Sequence, residues 1–484
     1  MKMEIRVRYA PSPTGYLHIG GARTAVFNYL FAKHHNGKFI VRIEDTDLER
    51  NIADGISSQL DNLRWLGLEI DETIDHEGKY GPYQQTKRLD IYRSHADKLI
   101  ADKHAYHCFC TNEALDKMKA EQQKVGIFSF QYDGRCAKLS PAEVKKNLAD
   151  KVSFAIRLKT PKNKIFTIND MVREEVSFNT KDIGDFVIIK SNGVATYNFA
   201  VVIDDYLMKI THVLRGEEHL SNTPKQLLIY DYFNWQAPRY GHLTLIISET
   251  GKKLSKRDGS LMQFIEQYRN QGYLSEALFN FISLLGWSSH QEREIYTKSE
   301  LIKIFNSDYF SKAPSMFDVR KLLWMNNYYI KNLTQEQYLN LVVPFVKSEH
   351  DWESKDEQWW QELLLIYQKQ LMYGAEINEL ISLFFENKPP LTKEAQDFLQ
   401  TNPDASKKVL DDFKAKLATT DDWSLQEIEN IIQQVKADTK ITGKMLFMTI
   451  RIACSRQTHG PELAKTIKLL GKEQVLTRLT DLKL

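Results

Sequence analysis

Cysteine is scarce. The 484 residues hold four, Cys108, Cys110, Cys136 and Cys454, too few for a disulfide scaffold and suited to a reducing compartment. Long apolar runs are missing too: no stretch approaches the roughly 20 residues that a membrane-spanning helix needs. The amino-terminal MKMEIRVRYAPSPTG alternates charged with apolar residues and lacks the apolar core of a secretory signal. A soluble, cytoplasmic chain without a membrane partner is expected. Excess charge of one sign is absent as well, since 65 Lys+Arg against 63 Asp+Glu leave +2. Any RNA contact would therefore rest on local basic patches. Hydrophobic content of 42% and charged content of 26% exclude wholesale disorder. At about 150 residues per domain the length suggests roughly three domains with cores that need no staples. No internal repeat or low-complexity segment interrupts the chain.

Residues 4–9 (EIRVRY) alternate like a half-buried strand, on which Arg8 could be an ordinary outward residue. The turn Pro11-Ser12-Pro13-Thr14-Gly15 follows. From Gly20 the pattern is helical, with Ala22, Ala25, Val26, Tyr29 and Leu30 on one face and Gly37 suited to the stop. Residues 39–43 (FIVRI) read as a buried strand. Strand, helix and strand in about 40 residues form a βαβ unit, which predicts a parallel sheet with a ligand crevice at its C-terminal edge. Residues 111–185 look like an insertion: Ser140-Pro141-Ala142-Glu143 is a capping box, and 152–158 (VSFAIRL) alternate. The runs 186–189 (FVII) and 199–203 (FAVVI) read as short buried strands. Beyond about residue 320 the pattern is helical. Thr334 with Gln337, and Ser424 with Glu427, make capping boxes, and Leu425, Ile428, Ile431, Ile432 and Val435 form an apolar stripe. The expected fold is α/β: a Rossmann-type parallel-sheet domain in two halves, 1–110 and 186–324, with an inserted subdomain, 111–185. An all-α domain, 325–484, follows.

Two stretches carry chemistry. Pro11 to Gly21 joins the first strand to the first helix, where small residues let a nucleotide approach and the helix start offers N–H groups to phosphate. His18 would add a donor as charge builds on the phosphates. Lys252-Lys253-Leu254-Ser255-Lys256-Arg257-Asp258-Gly259 could close over a triphosphate. Each alone is matched by a bland reading, a tight turn with an incidental histidine and a solvated basic loop.

Together they resemble the two signatures of class I aminoacyl-tRNA synthetases, HIGH and KMSKS, here His18-Ile19-Gly20-Gly21 and Lys253-Leu254-Ser255-Lys256-Arg257. Gly21 replaces the second histidine, as is usual in the glutamyl branch, and PSPTGYLHIGGARTA with FIVRIEDTD resembles glutamyl-tRNA synthetases of bacterial type. Gly81 to Arg88, Ala195 to Ala200 and Leu214 to His219 resemble further segments of that family. The resemblance runs from about residue 5 to residue 330. It implies that Arg8 and Arg215 hold the side-chain carboxylate of L-glutamate, Ser12 and Tyr197 add hydrogen bonds, and Glu44 takes the ammonium. Arginine suits the task because its planar fork binds a carboxylate through two parallel bonds. It implies ATP contacts from Pro11, Thr14, His18, Gly20, Gly21, Glu218, Lys253, Ser255, Lys256 and Arg257, with His18, Lys253 and Lys256 stabilising the reacting phosphates. Magnesium is expected with ATP, the inserted subdomain at the acceptor end of tRNA(Glu), the helical domain at the anticodon, and a monomer. Gly21 and Arg23 argue against the glutaminyl branch. The chain also extends far past Arg257, unlike the truncated paralogue that modifies a base of aspartate tRNA. A non-catalytic RNA-binding paralogue is disfavoured by the presence of His18, Lys256 and Arg215.

Some family members bind zinc where Cys108, Cys110 and Cys136 stand, but Lys138 occupies the place of their fourth ligand. His104, His107 or Asp133 could substitute, yet the spacing does not demand it, and partly buried thiols without metal are expected. Finally, no arginine occurs between Arg320 and Arg451. Stringent family members use an arginine there to demand C at the third anticodon position, and the corresponding stretch Leu371 to Glu376 has none. This suggests an enzyme that also charges tRNA(Gln) with glutamate.

Overall fold

The computed structural model describes residues 4–126, 130–252, 262–386 and 388–482, and the chain forms two compact units. One comprises Met1–Tyr268 and Ser275–Val319, the other Arg269–Leu274 and Arg320–Leu484. The main strands of the first are β1 (Arg6–Tyr9), β2 (Lys38–Val41), β3 (Ala105–Cys108), β4 (Ala155–Leu158), β5 (Ile165–Asp170), β6 (Glu174–Asn179), β7 (Phe186–Ile189), β8 (His212–Gly216) and β9 (Arg239–Leu243).

A parallel sheet runs in the order β2-β1-β8-β9, with Arg6 opposite Lys38 and Leu214 opposite Gly241. Parallel neighbours need a crossover, and α1 (Ile19–His34) supplies it between β1 and β2. Its Ala22, Ala25, Val26, Phe27 and Leu30 are fully buried, and each large apolar side chain so buried contributes about 1.5–3 kcal/mol. The helix stops before Gly37. Asn36 takes the left-handed conformation instead (φ 54°), while a Cβ on Gly37 would stand 2.3 Å from the Ile5 carbonyl oxygen. Gly37 is thus a close-approach residue at the entry to β2 rather than the helix stop.

Two expectations need correction. β1 is a central strand buried along its whole length, so its alternation does not mark a solvent face. Arg6 is accommodated by a two-pronged pair with Glu72 (2.8 and 2.7 Å) and by the Met208 carbonyl (2.9 Å). Residues 199–203 are not a strand but the middle of the helix Tyr197–Leu207. Periodicity cannot separate a short buried run on a helix from one on a strand, and this helix is buried from Phe199 through Asp205.

Phe186–Ile189 is a strand, but it belongs to an antiparallel sheet, β3-β4-β7, built with the region after residue 104. The hairpin β5-β6 lies between β4 and β7 in sequence. Its end is fastened to the parallel sheet, where Met171 N–H donates to the Tyr240 carbonyl (2.8 Å). The capping box at Ser140 forms, with Pro141 at the first helical position.

The second unit is helical, and no strand occurs among its described residues. Helices including Gln335–Glu349, Glu357–Leu365, Pro403–Thr419, Leu425–Thr439 and Gly443–Ser455 enclose a core with Tyr338, Trp360 and Phe413 fully buried. The Thr334 box is complete. At Ser424 one half forms: its hydroxyl accepts from Glu427 N–H, while its own N–H donates to Asp422 (2.9 Å). Ile428, Ile431, Ile432 and Val435 point into the core, with Leu425 half-buried at the edge of the stripe.

Candidate active site

The C-terminal ends of β1 and β8 and the start of α1 enclose a cleft of about 720 Å³. This is the edge at which open parallel sheets bind ligands. Among the residues singled out from sequence, Arg8, Pro11, Ser12, Thr14, His18, Gly20, Gly21, Glu44, Tyr197, Arg215 and Glu218 all line it. Lys253, Ser255, Lys256 and Arg257 lie outside the described residues.

His18 caps α1. Its Nδ1 accepts from Gly21 N–H (3.2 Å), which assigns the ring hydrogen to Nε2 and makes that nitrogen a donor. Gly20 and Gly21 keep the helix entry bare. A Cβ on Gly20 would lie 3.1 Å from the His18 ring, and one on Gly21 would lie 2.7 Å from Tyr9 Oη. The positive end of α1 therefore faces the cleft through backbone.

Beside it runs a buried ionic chain. Arg42, fully buried, donates through Nη1 to Asp205 Oδ1 (2.7 Å) and through Nη2 to Glu44 Oε1 (2.9 Å). Arg8 donates through Nε to the same Asp205 oxygen (3.2 Å), and its guanidinium lines the cleft. Burial works against the charge on Arg42, yet Asp205, Asp204 and Glu44 outweigh it and hold its pKa well above the usual value. Burial also opposes the charge on Asp205, but Arg8 and Arg42 keep its carboxyl below the ordinary range. For Glu44 burial prevails over Arg42 and Arg8, and its pKa rises. A carboxylate so placed gains from a cationic partner in the cleft.

Arg215 is held differently. Nε donates to His242 Nε2 (3.2 Å), Nη1 to Gln226 Oε1 (2.9 Å) and Nη2 to Thr223 Oγ1 (2.8 Å). These partners are neutral, so its charge is balanced by none of them, and two of its five N–H groups remain beyond the three engaged. Tyr197 Oη lies 3.1 Å from His219 Nδ1. Burial, with Arg215 nearby, pulls His219 down to about 4, leaving a neutral ring in the cleft at pH 7.

The three cysteines converge apart from this cleft. Their sulfurs lie within 4.8 Å of one another, and Cys110 and Cys136 are 3.6 Å apart. No histidine, carboxylate or fourth thiol joins them among the described residues. Tyr132 Oη stands 3.5 Å from Cys108 and 3.3 Å from Cys110, and Arg157 Nε stands 3.2 Å from Cys108. Three thiols do not complete the usual four-ligand zinc set, and Arg157 offers the positive charge that a thiolate would otherwise take from a metal.

Asp204, Asp205, Thr223, Gln226 and His242 had no reading from sequence, and Arg42 and His219 were read only as members of the FIVRIEDTD and Leu214 to His219 segments. The buried pair Asp204-Asp205 within an apolar run was a usable signal, because unpaired carboxylates are not buried.

Comparison with known proteins agrees with this geometry. The family model of the class I tRNA synthetase (E and Q) catalytic domain matches residues 4–324, and that of an anticodon binding domain matches residues 337–483. The glutamate–tRNA ligase of Geobacillus stearothermophilus is 53% identical over 99% of this chain and 98% of its own length. That of Mycoplasma capricolum is 52% identical over 99% of this chain and 100% of its own. The crystal structure of a glutamate tRNA ligase from Elizabethkingia meningosepticum, in complex with its amino acid, superposes with a TM-score of 0.87 at 32% identity, covering 99% of both chains. With matches across both domains and its full length, the chain belongs to the glutamate–tRNA ligase family of class I tRNA synthetases.

Proposed function

We propose that the cleft activates L-glutamate with ATP and passes the acyl group to the terminal adenosine of tRNA(Glu). The observation that carries this reading is that Arg8, Arg215 and Glu44 line a single pocket beside a bare helix start. A substrate with a side-chain carboxylate and an ammonium matches that set. Arg8 and Arg215 take the side-chain carboxylate, Ser12 and Tyr197 add hydrogen bonds, and Glu44 takes the ammonium.

An oxygen of the substrate α-carboxylate attacks the α-phosphorus of ATP, the bond to the bridging oxygen breaks, and pyrophosphate leaves. The 2′-hydroxyl of the tRNA adenosine then attacks the acyl carbon and AMP departs. No side chain becomes a covalent nucleophile. Catalysis is positioning and charge stabilisation. Pro11, Thr14, Gly20, Gly21 and Glu218 bound the nucleotide, and His18 Nε2–H points a donor at its phosphates. Lys253, Ser255, Lys256 and Arg257 supply the cationic loop by resemblance. Magnesium would arrive with the triphosphate, whose oxygens and water supply most of its ligands. Residues 111–185 meet the acceptor end, and 325–484 the anticodon, of a tRNA bound by a cytoplasmic monomer.

Relaxed tRNA choice belongs to the same reading. In the stretch Leu371 to Glu376, Tyr373 stacks on Tyr273 (5.4 Å between ring centres), and the Glu376 carboxylate accepts from Met372 N–H (2.5 Å). An aromatic ring and an acid stand where a stringent reader has an arginine. A tRNA(Gln) transcript should accept glutamate, and one that stays uncharged while tRNA(Glu) is charged rules this out.

Pyrophosphate exchange tests the main reading. Labelled pyrophosphate should enter ATP when glutamate and tRNA are both present. Exchange supported by glutamine in place of glutamate contradicts it.

A further inference from the structure

Arg215 meets the cleft with a guanidinium whose own partners are neutral, and behind it lies a buried carboxylate. His242 Nδ1 is 2.6 Å from Asp170 Oδ2, and both side chains are wholly shielded from solvent. Asp170 closes β5 and His242 lies on β9, so the fastening of the hairpin to the sheet brings them together. The other oxygen, Asp170 Oδ1, accepts from the N–H groups of Val172 (2.9 Å), Arg173 (2.9 Å) and His242 (3.1 Å). Burial would raise the Asp170 carboxyl, but the bond from His242 and those backbone bonds hold it below the usual range. Burial outweighs Asp170 at His242 and lowers its pKa, so the ring is neutral at pH 7.

A neutral ring beside a carboxylate carries its hydrogen on Nδ1. Nε2 is then an acceptor, and Arg215 Nε–H is its donor at 3.2 Å. We propose that Asp170 and His242 are positioning residues for glutamate recognition: Asp170 fixes the His242 tautomer, and His242 Nε2 holds the Arg215 fork toward the substrate side-chain carboxylate. The inference rests on the reading that Arg215 binds that carboxylate. A neutral imidazole orients the guanidinium without cancelling its charge, so the charge is kept for the substrate. A carboxylate in direct contact with Arg215 would compete with glutamate and favour the uncharged amide of glutamine.

The tautomer can be reversed by one atom. Three backbone N–H groups hold the Oδ1 side of residue 170, so in Asp170→Asn the amide oxygen stays there and the NH2 faces His242 Nδ1. The ring must then carry its hydrogen on Nε2, where it faces Thr223 Oγ1 (3.1 Å) and no longer accepts from Arg215 Nε–H. His242→Leu removes the acceptor, whereas His242→Gln can place its amide oxygen near the Nε2 position.

Steady-state charging of tRNA by the full-length enzyme should show a glutamate KM raised about tenfold or more in Asp170→Asn and His242→Leu, the size of one lost charge-assisted bond. The KM for ATP should stay within about twofold, and His242→Gln should recover much of the loss. Arg215→Ala is measured alongside. If it raises the glutamate KM while Asp170→Asn and His242→Leu do not, the positioning role is overturned and the reading of Arg215 stands. If Arg215→Ala leaves the glutamate KM unchanged, both fall. An equal rise in the ATP KM, or equal losses in His242→Gln and His242→Leu, marks a general structural role and overturns the proposal.

Discussion

The hydroxyl of Tyr9 occupies the space in which a side chain on Gly21 would begin, with Oη 2.7 Å from the Cβ position. Tyr9 is itself held, donating to Gln59 Oε1 (3.2 Å) in a buried setting. A second histidine, as in the general class I signature, would have to displace this hydroxyl. Gly21→Ala should destabilise the fold by about 1–3 kcal/mol through overpacking. Thermal melts of Gly21→Ala in the wild-type and Tyr9→Phe backgrounds check this. The cost should be smaller where the hydroxyl is gone, and equal costs contradict the account.

Arg42 neutralises a buried acidic cluster, touching Glu44 and Asp205 and approaching Asp204 at 3.6 Å. Removing one partner of such a cluster leaves uncompensated charge, so Arg42→Met should cost about 3–5 kcal/mol in urea unfolding. A loss below about 1 kcal/mol would mean that the carboxylates are not relying on it.

Glu44 keeps a carboxylate facing the cleft with Arg42 as its hydrogen-bonding partner. Glu44→Gln removes the charge for the substrate ammonium and should raise the glutamate KM roughly 10–100-fold, with the KM for ATP little changed. An unchanged glutamate KM would take the ammonium away from Glu44.

His212 gives a stability test in acid. Burial, aided by Arg239, pulls its pKa from 6.5 to about 4. Between those values the unfolded chain binds the extra proton, so acid favours unfolding. Its contribution is full above about pH 6.5 and is lost as pH falls to about 4, with a steepest slope of about 1.4 kcal/mol per pH unit. His212→Gln should therefore show a smaller drop in unfolding midpoint between about pH 7 and pH 4.5 than the parent protein. A parallel drop in both would contradict the assignment.

What the sequence made legible was local. The βαβ start, the capping boxes at Ser140 and Thr334 and the helical C-terminal unit follow from spacing within a few residues. The glycine-rich entry and the arginines of the cleft were legible through their resemblance to a family. Pairings across long separations were not. Spacing alone left Arg8 open to being an ordinary outward residue, because Asp205, its partner, stands 197 positions away. The run at 199–203 read as a strand because a wholly buried helix has no polar face to show its period. Asp170 and His242, 72 residues apart, meet only because the hairpin β5-β6 is fastened to the edge of the parallel sheet.

The most direct test of the central claim is charging of unfractionated tRNA by the purified protein with ATP and magnesium, comparing labelled glutamate with labelled glutamine. Arginine forks for a carboxylate and an acid for an ammonium require glutamate to be incorporated and glutamine not. Incorporation of glutamine alone, or of neither amino acid by correctly folded protein with its matching tRNA, would contradict the account.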